Sequence, residues 1–239
     1  MKVIIKQLTA LLFSVVIFSF SFSSAFAETS KSISDESIAN IKSNLVKMGV
    51  NKETQDKLIE KLLNGEAWDS MNPDKINTGE TKKFYKVYSG NKVLIAKTTF
   101  PDGSVSQTTI TFNDIVNKNG KINPMGGSSC GSGYCTYYGL KVEGGNGVVD
   151  ASFYADYTLV TGGYDYINDV YQPQVRAQIG TIEDINGPTI LRKYETQSQS
   201  ARAYLQWTYK PYHTGSATQY LNFDVQNDSV SSYFTTNNN

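Results

Sequence analysis

The strongest constraint on the fold of this chain is a strict two-residue alternation of apolar and polar side chains over residues 148–160. One face carries Val149, Ala151, Phe153, Ala155, Tyr157 and Leu159, and the other carries Asp150, Ser152, Tyr154, Asp156 and Thr158. Successive side chains of a β-strand point to opposite faces, so the pattern predicts a half-buried antiparallel strand. The same alternation recurs over residues 201–209 and 217–225.

Shorter strand-like runs fill the remainder of the chain. They lie at residues 83–88, 92–100, 105–112, 137–142, 170–179, 189–194 and 230–235. Gly, Asn and Pro punctuate them, which predicts turns at residues 89–91, 101–103, 144–147, 162–163, 186–188 and 213–215. Many short strands separated by turns favour a mainly β fold, an antiparallel β-sandwich or a jelly-roll-like domain.

An N-terminal helical hairpin is predicted before the strands, within residues 34–72. Ser34 and Asn51 are suited to cap two helices, and Gly49 and Gly65 to end them. Each helix is too short to be stable alone, so the hairpin must pack on another part of the chain, and we expect it to cover a face or an edge of a sheet. A removable pro-segment at residues 28–80 is the alternative. Trp68 is expected to close the end of the hairpin.

The organisation follows from these elements. The prediction is a signal peptide at residues 1–27, the helical hairpin and a linker at 28–80, a three-stranded β-meander with a Gly- and Asn-rich linker at 81–133, and a Tyr-rich β-sandwich at 134–239.

The first 27 residues have the pattern of a cleavable export signal. Lys2 and Lys6 precede an apolar run at residues 8–20, and Ala25 and Ala27 frame a cleavage site of small residues. We expect secretion, an extracellular location and no membrane span after cleavage. Loss of the two lysines leaves a net charge of −2, which gives no electrostatic reason to expect a nucleic acid or an anionic membrane as a partner.

The two cysteines, Cys130 and Cys135, are expected to form a disulfide in an oxidising compartment. The short Gly-rich loop between them can bend enough to allow it. Their spacing is not that of a C-x-x-C redox motif, so a redox or nucleophilic role is disfavoured.

Tyrosine is the unusual component of this chain. Of 16 tyrosines, 14 lie at or after Tyr134, where they serve either as ordinary strand residues or as a binding surface. The polar strand faces predict a ligand-binding cross-strand ladder if their strands are neighbours. Its members would be Tyr154, Tyr204 and Tyr220, flanked by Asp156, Arg202 and Asp224.

Motifs for catalysis or metal binding are absent from the sequence. His213 is the only histidine, so a histidine metal site or a recognisable triad is disfavoured. We predict no catalytic residue, no metal ligand and no cofactor, with calcium at Asp165, Asn168 and Asp169 as an alternative. Acid pairs that could serve a glycosidase are Asp150 with Asp156, Asp165 with Asp169, and Glu183 with Asp184.

Two stretches resemble segments of uncharacterised secreted proteins of Gram-positive bacteria. They are residues 64–70, Asn-Gly-Glu-Ala-Trp-Asp-Ser, and a Cys- and Gly-rich stretch before the strand at 151–158. The resemblance implies a secreted bacterial protein and supplies no functional residues.

The leading functional hypothesis is a non-enzymatic extracellular binding protein, with cell-wall glycan or another surface protein as its partner. A secreted toxin or bacteriocin-like protein and a carboxylate-dependent hydrolase are the alternatives.

Overall fold

The computed structural model describes residues 33–88, 90–112, 127–211 and 215–237. Residues 32–239 form one compact unit. The predicted signal peptide at residues 1–27 and His213 lie outside the described residues. The cysteines of this unit, Cys130 and Cys135, form the predicted disulfide.

Eleven strands are described, and nearly all follow the predicted runs. They are β1 Glu80–Tyr88, β2 Asn91–Thr99, β3 Val105–Phe112, β4 Gly127–Gly131, β5 Tyr134–Gly145, β6 Val149–Val160, β7 Tyr166–Ala177, β8 Thr181–Arg192, β9 Ala201–Lys210, β10 Ala217–Gln226 and β11 Ser229–Asn237.

The strands form two antiparallel sheets. Sheet A has the order β1-β2-β3-β5-β6-β7 with β4 paired to β5, and sheet B has the order β11-β10-β9-β8. In both sheets, neighbouring strands mostly follow one another in the chain, as in a meander. The predicted mainly β sandwich is therefore confirmed, but its strand order is not the interleaved order of a jelly roll. Because β3 pairs with β5, the meander at residues 81–133 and the Tyr-rich segment share one sheet.

The core lies between the two sheets. Phe153 and Tyr157 of β6 and Phe223 of β10 are almost fully buried, and the rings of Tyr157 and Phe223 meet edge to face at 5.9 Å. These side chains occupy the apolar faces predicted from the alternation. The remaining side chains of the same strands therefore form two outer faces on opposite sides of the sandwich.

The predicted helical hairpin is confirmed as α1 Asp35–Lys47 and α2 Lys52–Leu63. The side chains of Ser34 and Asn51 accept hydrogen bonds from Ser37 N and Thr54 N, as expected of N-caps. Two short 3₁₀ helices, Asp69–Met71 and Pro73–Thr78, lead from the hairpin to β1.

The hairpin packs on one end of the sandwich, where the turns between β2 and β3 and between β5 and β6 lie. Asn44 Nδ2 donates to Gly147 O at 3.2 Å, and Lys61 Nζ lies 2.8 Å from Asp102 Oδ2. Trp68 is fully buried and its indole N–H donates to Leu58 O at 2.7 Å, so it closes the hairpin as predicted. The hairpin therefore packs on turns at one end of the sandwich, and the C-terminal half of α1 also lies beside part of the outer face of sheet A.

Two local predictions were wrong. Asn186, Gly187 and Pro188 do not form a turn but lie inside β8, with register shifts on either side of Asn186. Because β8 is an edge strand, the missing N–H of a proline is tolerated there. Cys130 lies in strand β4 rather than in a loop, directly opposite Cys135 on β5.

None of the helices in the described part of the chain is long and apolar enough to span a membrane.

Candidate functional site

The six predicted ligand-binding residues lie on two different faces of the sandwich. Tyr154 and Asp156 belong to the outer face of sheet A, through β6. Arg202, Tyr204, Tyr220 and Asp224 belong to the outer face of sheet B, through β9 and β10. A single ladder of Tyr154, Tyr204 and Tyr220 therefore does not form, because β6 is not a neighbour of β9 or β10.

On sheet B, the predicted residues contact one another across the strands. Arg202 donates two hydrogen bonds to the carboxylate of Asp224, both at 2.7 Å, and its guanidinium lies 5.5 Å from the ring centre of Tyr233. The rings of Tyr204 and Tyr220 meet edge to face at 5.9 Å. The charges of Arg202 and Asp224 therefore neutralise each other within the protein, and Asp224 also lines a cleft of about 370 Å³ beside β1.

On sheet A, Tyr154 stacks on Tyr171 of β7. The ring centres are 5.8 Å apart and the planes are inclined by 12°. Asp156 Oδ1 accepts hydrogen bonds from Tyr171 Oη at 3.1 Å and from Gly139 N at 2.7 Å. Burial, followed by the negative charge of Asp156, raises the pKa of Tyr171 to about 12. Asp156 thus fixes the position of the aromatic pair, which we call the tyrosine platform.

Beside the tyrosine platform lies a cleft of about 560 Å³ between the C-terminal half of α1 and the outer face of sheet A. Most of its side chains are polar, and many end in an amide or a hydroxyl group. Its lining includes Asn44, Lys141, Glu143, Asp150, Ser152, Gln174 and Arg176.

The strand register makes the tyrosine platform and the cleft one continuous surface. The first row across β7, β6 and β5 is Tyr171, Tyr154 and Lys141. The next row is Gln174, Ser152 and Glu143, and the third is Arg176, Asp150 and Gly145. Gly145 has no side chain, which deepens the floor next to Asp150. A Cβ at Gly145 would lie 2.3 Å from Val149 O, so the position accepts only glycine.

A β-bulge in β7 creates this alignment. Ser152 pairs with Gln174 whereas Tyr154 pairs with Tyr171, so β7 carries one residue more than β6 in this interval. Gln172, at the bulge, has a φ of 54°, which is rare for a residue with a side chain. The extra residue places Tyr171 and Gln174 on the same face, although they are three residues apart. Bulges of this kind often re-aim side chains at functional sites.

The two carboxyl groups in the cleft have different surroundings. Burial raises the pKa of Asp150, and the nearby charge of Glu143 raises it further, although Lys47 and Arg176 oppose the shift. Glu143 forms a salt bridge with Lys141 at 2.6 Å. Asp150 therefore holds a proton more readily than an exposed aspartate.

The structure does not bring together the residues proposed for calcium. The carboxylate of Asp165 accepts Val160 N at 2.7 Å and Asp228 N at 2.8 Å. Asn168 accepts a hydrogen bond from Thr158, and Asp169 accepts one from the N–H that follows it. Among the described residues, no group of three His, Cys, Asp or Glu side chains could hold a metal ion.

The acid pairs predicted for a glycosidase also have other partners or lie in separate places. Asp150 lies in the cleft while Asp156 holds the tyrosine platform, so these two do not act as one pair. Glu183 pairs with Lys210 at 2.5 Å.

Sequence reasoning missed most of the cleft. Gln174 and Arg176 are ordinary polar residues of a strand, and only the register places them beside Asp150. One signal was available in the sequence, because Pro173 within a predicted strand is typical of a bulge or an edge strand. No family model, curated protein or solved structure matches this chain.

Proposed function

We propose that this protein is a non-enzymatic extracellular binding protein that holds a glycan chain on the outer face of sheet A. The observation that carries the proposal is the continuity of the tyrosine platform with the polar cleft of about 560 Å³. Sugar rings present apolar faces that pack on aromatic rings, and hydroxyl groups that pair with amide and carboxylate side chains. The extracellular location rests on the predicted signal peptide.

The cleft has the mixture of donors and acceptors that a glycan requires. Asn44 and Gln174 each offer an amide, Ser152 offers a hydroxyl, and Arg176 and Asp150 offer a strong donor and a strong acceptor. Gln174 and Arg176 are exposed to solvent. They can therefore exchange water for a ligand without rearrangement of the core. A ligand with a high net charge is disfavoured, because the cleft contains both acidic and basic groups and would repel either sign in part.

The test is co-sedimentation of residues 28–239 with purified bacterial cell walls. We expect the wild type to pellet and a Gln174→Ala/Arg176→Ala variant, or a Tyr154→Ala variant, to bind about tenfold more weakly. The matched control is Tyr204→Ala/Tyr220→Ala, which removes two tyrosines from the opposite face and should bind as the wild type does. Loss of binding in the control alone would move the site to sheet B, and a wild type that stays in solution would exclude wall binding.

A second candidate function, carboxylate-dependent hydrolysis of the same class of ligand, is favoured by one observation. Asp150 and Glu143 lie on adjacent strands in the cleft, one with a raised pKa and one in a salt bridge. A carboxyl group with a raised pKa beside a second carboxyl group in a different environment is the arrangement that glycosidases use.

Hydrolysis is tested separately from binding. Release of reducing ends from cell-wall glycan by the wild type, and its loss in Asp150→Asn, would establish the hydrolase. Binding without release of reducing ends would leave the non-enzymatic function.

A further inference from the structure

We propose that the tip of the β1–β2 hairpin is a docking element for an anionic lipid surface. Lys83, Phe84 and Tyr85 line a cleft of about 370 Å³ beside the β10–β11 turn, and β1 is otherwise open to solvent. Each of the nine residues of β1 is exposed, and β1 is the edge of sheet A. The proposal is independent of glycan binding, since it concerns different residues.

Large apolar side chains are exposed on this strand, and their exposure is highest near the turn. The exposed fractions are 36% for Phe84, 56% for Tyr85, 73% for Val87 and 52% for Tyr88. The base of the strand, at Glu80, is polar instead. Exposed aromatic and branched side chains grouped at one tip mark an interaction surface rather than scattered surface residues.

The charge of the hairpin is strongly positive. Residues 80–99 contain five lysines and one glutamate, in a chain whose 22 basic residues balance its 22 acidic ones. Glu80 lies 3.5 Å from Lys82. Within the described part of the chain, Lys83, Lys86 and Lys92 form no salt bridge. Among the described residues, the lysines of the tip therefore pair with no carboxylate, and they complement an anionic surface.

The lysines and rings are arranged together on both faces of β1. Lys86 Nζ lies 5.6 Å from the ring centre of Phe84 and 6.0 Å from that of Tyr88. On the other face, Lys92 Nζ lies 4.2 Å from the ring centre of Tyr85. Aromatic rings that lie at the level of lipid headgroups, with lysines next to anionic phosphates, are the usual composition of a membrane-interface anchor.

Two other occupants fit the tip less well. A second copy of this chain, paired edge to edge through β1, would set one lysine-rich strand against another. A peptide strand would use the whole edge, whereas the apolar exposure is concentrated between Phe84 and Tyr88. An anionic lipid surface matches both the position of the apolar groups and the sign of the charge.

The test is flotation of residues 28–239 with lipid vesicles. This form omits the apolar run at residues 8–20 and retains the whole compact unit of residues 32–239. We expect binding to vesicles of phosphatidylcholine mixed with phosphatidylglycerol, little binding to pure phosphatidylcholine, and release by high salt. The variant Lys83→Gln/Lys86→Gln/Lys92→Gln should bind on the order of 100-fold more weakly.

Two further variants separate the contributions. Lys52→Gln/Lys57→Gln/Lys193→Gln removes the same charge from exposed positions elsewhere and should bind as the wild type does. Val87→Ser/Tyr88→Ser retains every lysine and should also lose binding. The proposal is overturned if the wild type does not float, if both lysine variants lose binding equally, or if Val87→Ser/Tyr88→Ser floats like the wild type. Circular dichroism of each variant establishes that the fold is intact.

Discussion

Replacement of Asp156 by alanine tests how the tyrosine platform is held. Asp156 Oδ1 accepts two hydrogen bonds, from Gly139 N and Tyr171 Oη, at 2.7 and 3.1 Å. Gly139 is buried at a register shift of β5, so its N–H would lose its acceptor without access to bulk water. An unsatisfied buried N–H costs about 1–3 kcal/mol, and the hydroxyl of the half-buried Tyr171 adds about 0.5–1.5 kcal/mol.

We therefore expect Asp156→Ala to lower the free energy of unfolding by about 2–4 kcal/mol. For a domain of this size, the melting temperature should fall by roughly 5–12 °C. The assay is urea unfolding followed by circular dichroism. The matched control is Asp169→Ala, because Asp169 lies directly opposite Asp156 on β7 but is exposed and, among the described residues, accepts a hydrogen bond only from Val170 N. Equal destabilisation by the two substitutions would refute the reasoning.

A second measurement reports on the tyrosine itself. Asp156→Asn preserves the shape of the side chain and removes its charge. Burial is the larger cause of the raised pKa of Tyr171, and the charge of Asp156 is the smaller one. In Asp156→Asn the pKa of Tyr171 should therefore fall from about 12 but remain above the usual value of about 10. Carbon-13 NMR of the tyrosine ring carbons, assigned with Tyr171→Phe, measures this change. An unchanged pKa would show that Asp156 is not the group that acts on Tyr171.

Three further predictions concern stability. Trp68→Phe removes the indole N–H that Leu58 O accepts and leaves a small void, so urea unfolding should show a loss of about 1.5–3 kcal/mol. Burial alone would raise the pKa of Asp102, but its hydrogen bonds, led by that from Lys61, outweigh burial and lower it. Asp102→Asn should therefore destabilise the protein at pH 7, and the difference should disappear as the pH falls through the folded-state pKa. Burial raises the pKa of Asp150, so wild-type stability should decrease as the pH rises from about 4 through that raised pKa, and Asp150→Asn should remove the decrease.

Local features of the fold were predictable because the responsible interactions are local. Ser34 and Asn51 cap their helices through hydrogen bonds to N–H groups three residues away. The apolar face of β6 was readable because side-chain direction alternates with a period of two. The disulfide was readable from the number and spacing of the cysteines.

The candidate site was only partly predictable. Tyr154 and Tyr204 have the same local sequence pattern, since each is a polar-face residue of an alternating strand. The pattern identified both as outward, and it could not show that one lies on sheet A and the other on sheet B. The prediction of a turn at Pro188 was wrong for a related reason. Whether a strand tolerates proline depends on whether it lies at the edge of its sheet, and the edge is defined by strand order.

The sequence by itself determined the types of element, their faces and the disulfide, because these depend on groups close together in the chain. The tertiary structure alone decided the strand order and the register of the strands, and with them the cleft. Glu143, Asp150 and Gln174 come from three strands, and hydrogen bonding between those strands sets their register. Register depends on the pairing of residues distant in sequence, which no local pattern encodes.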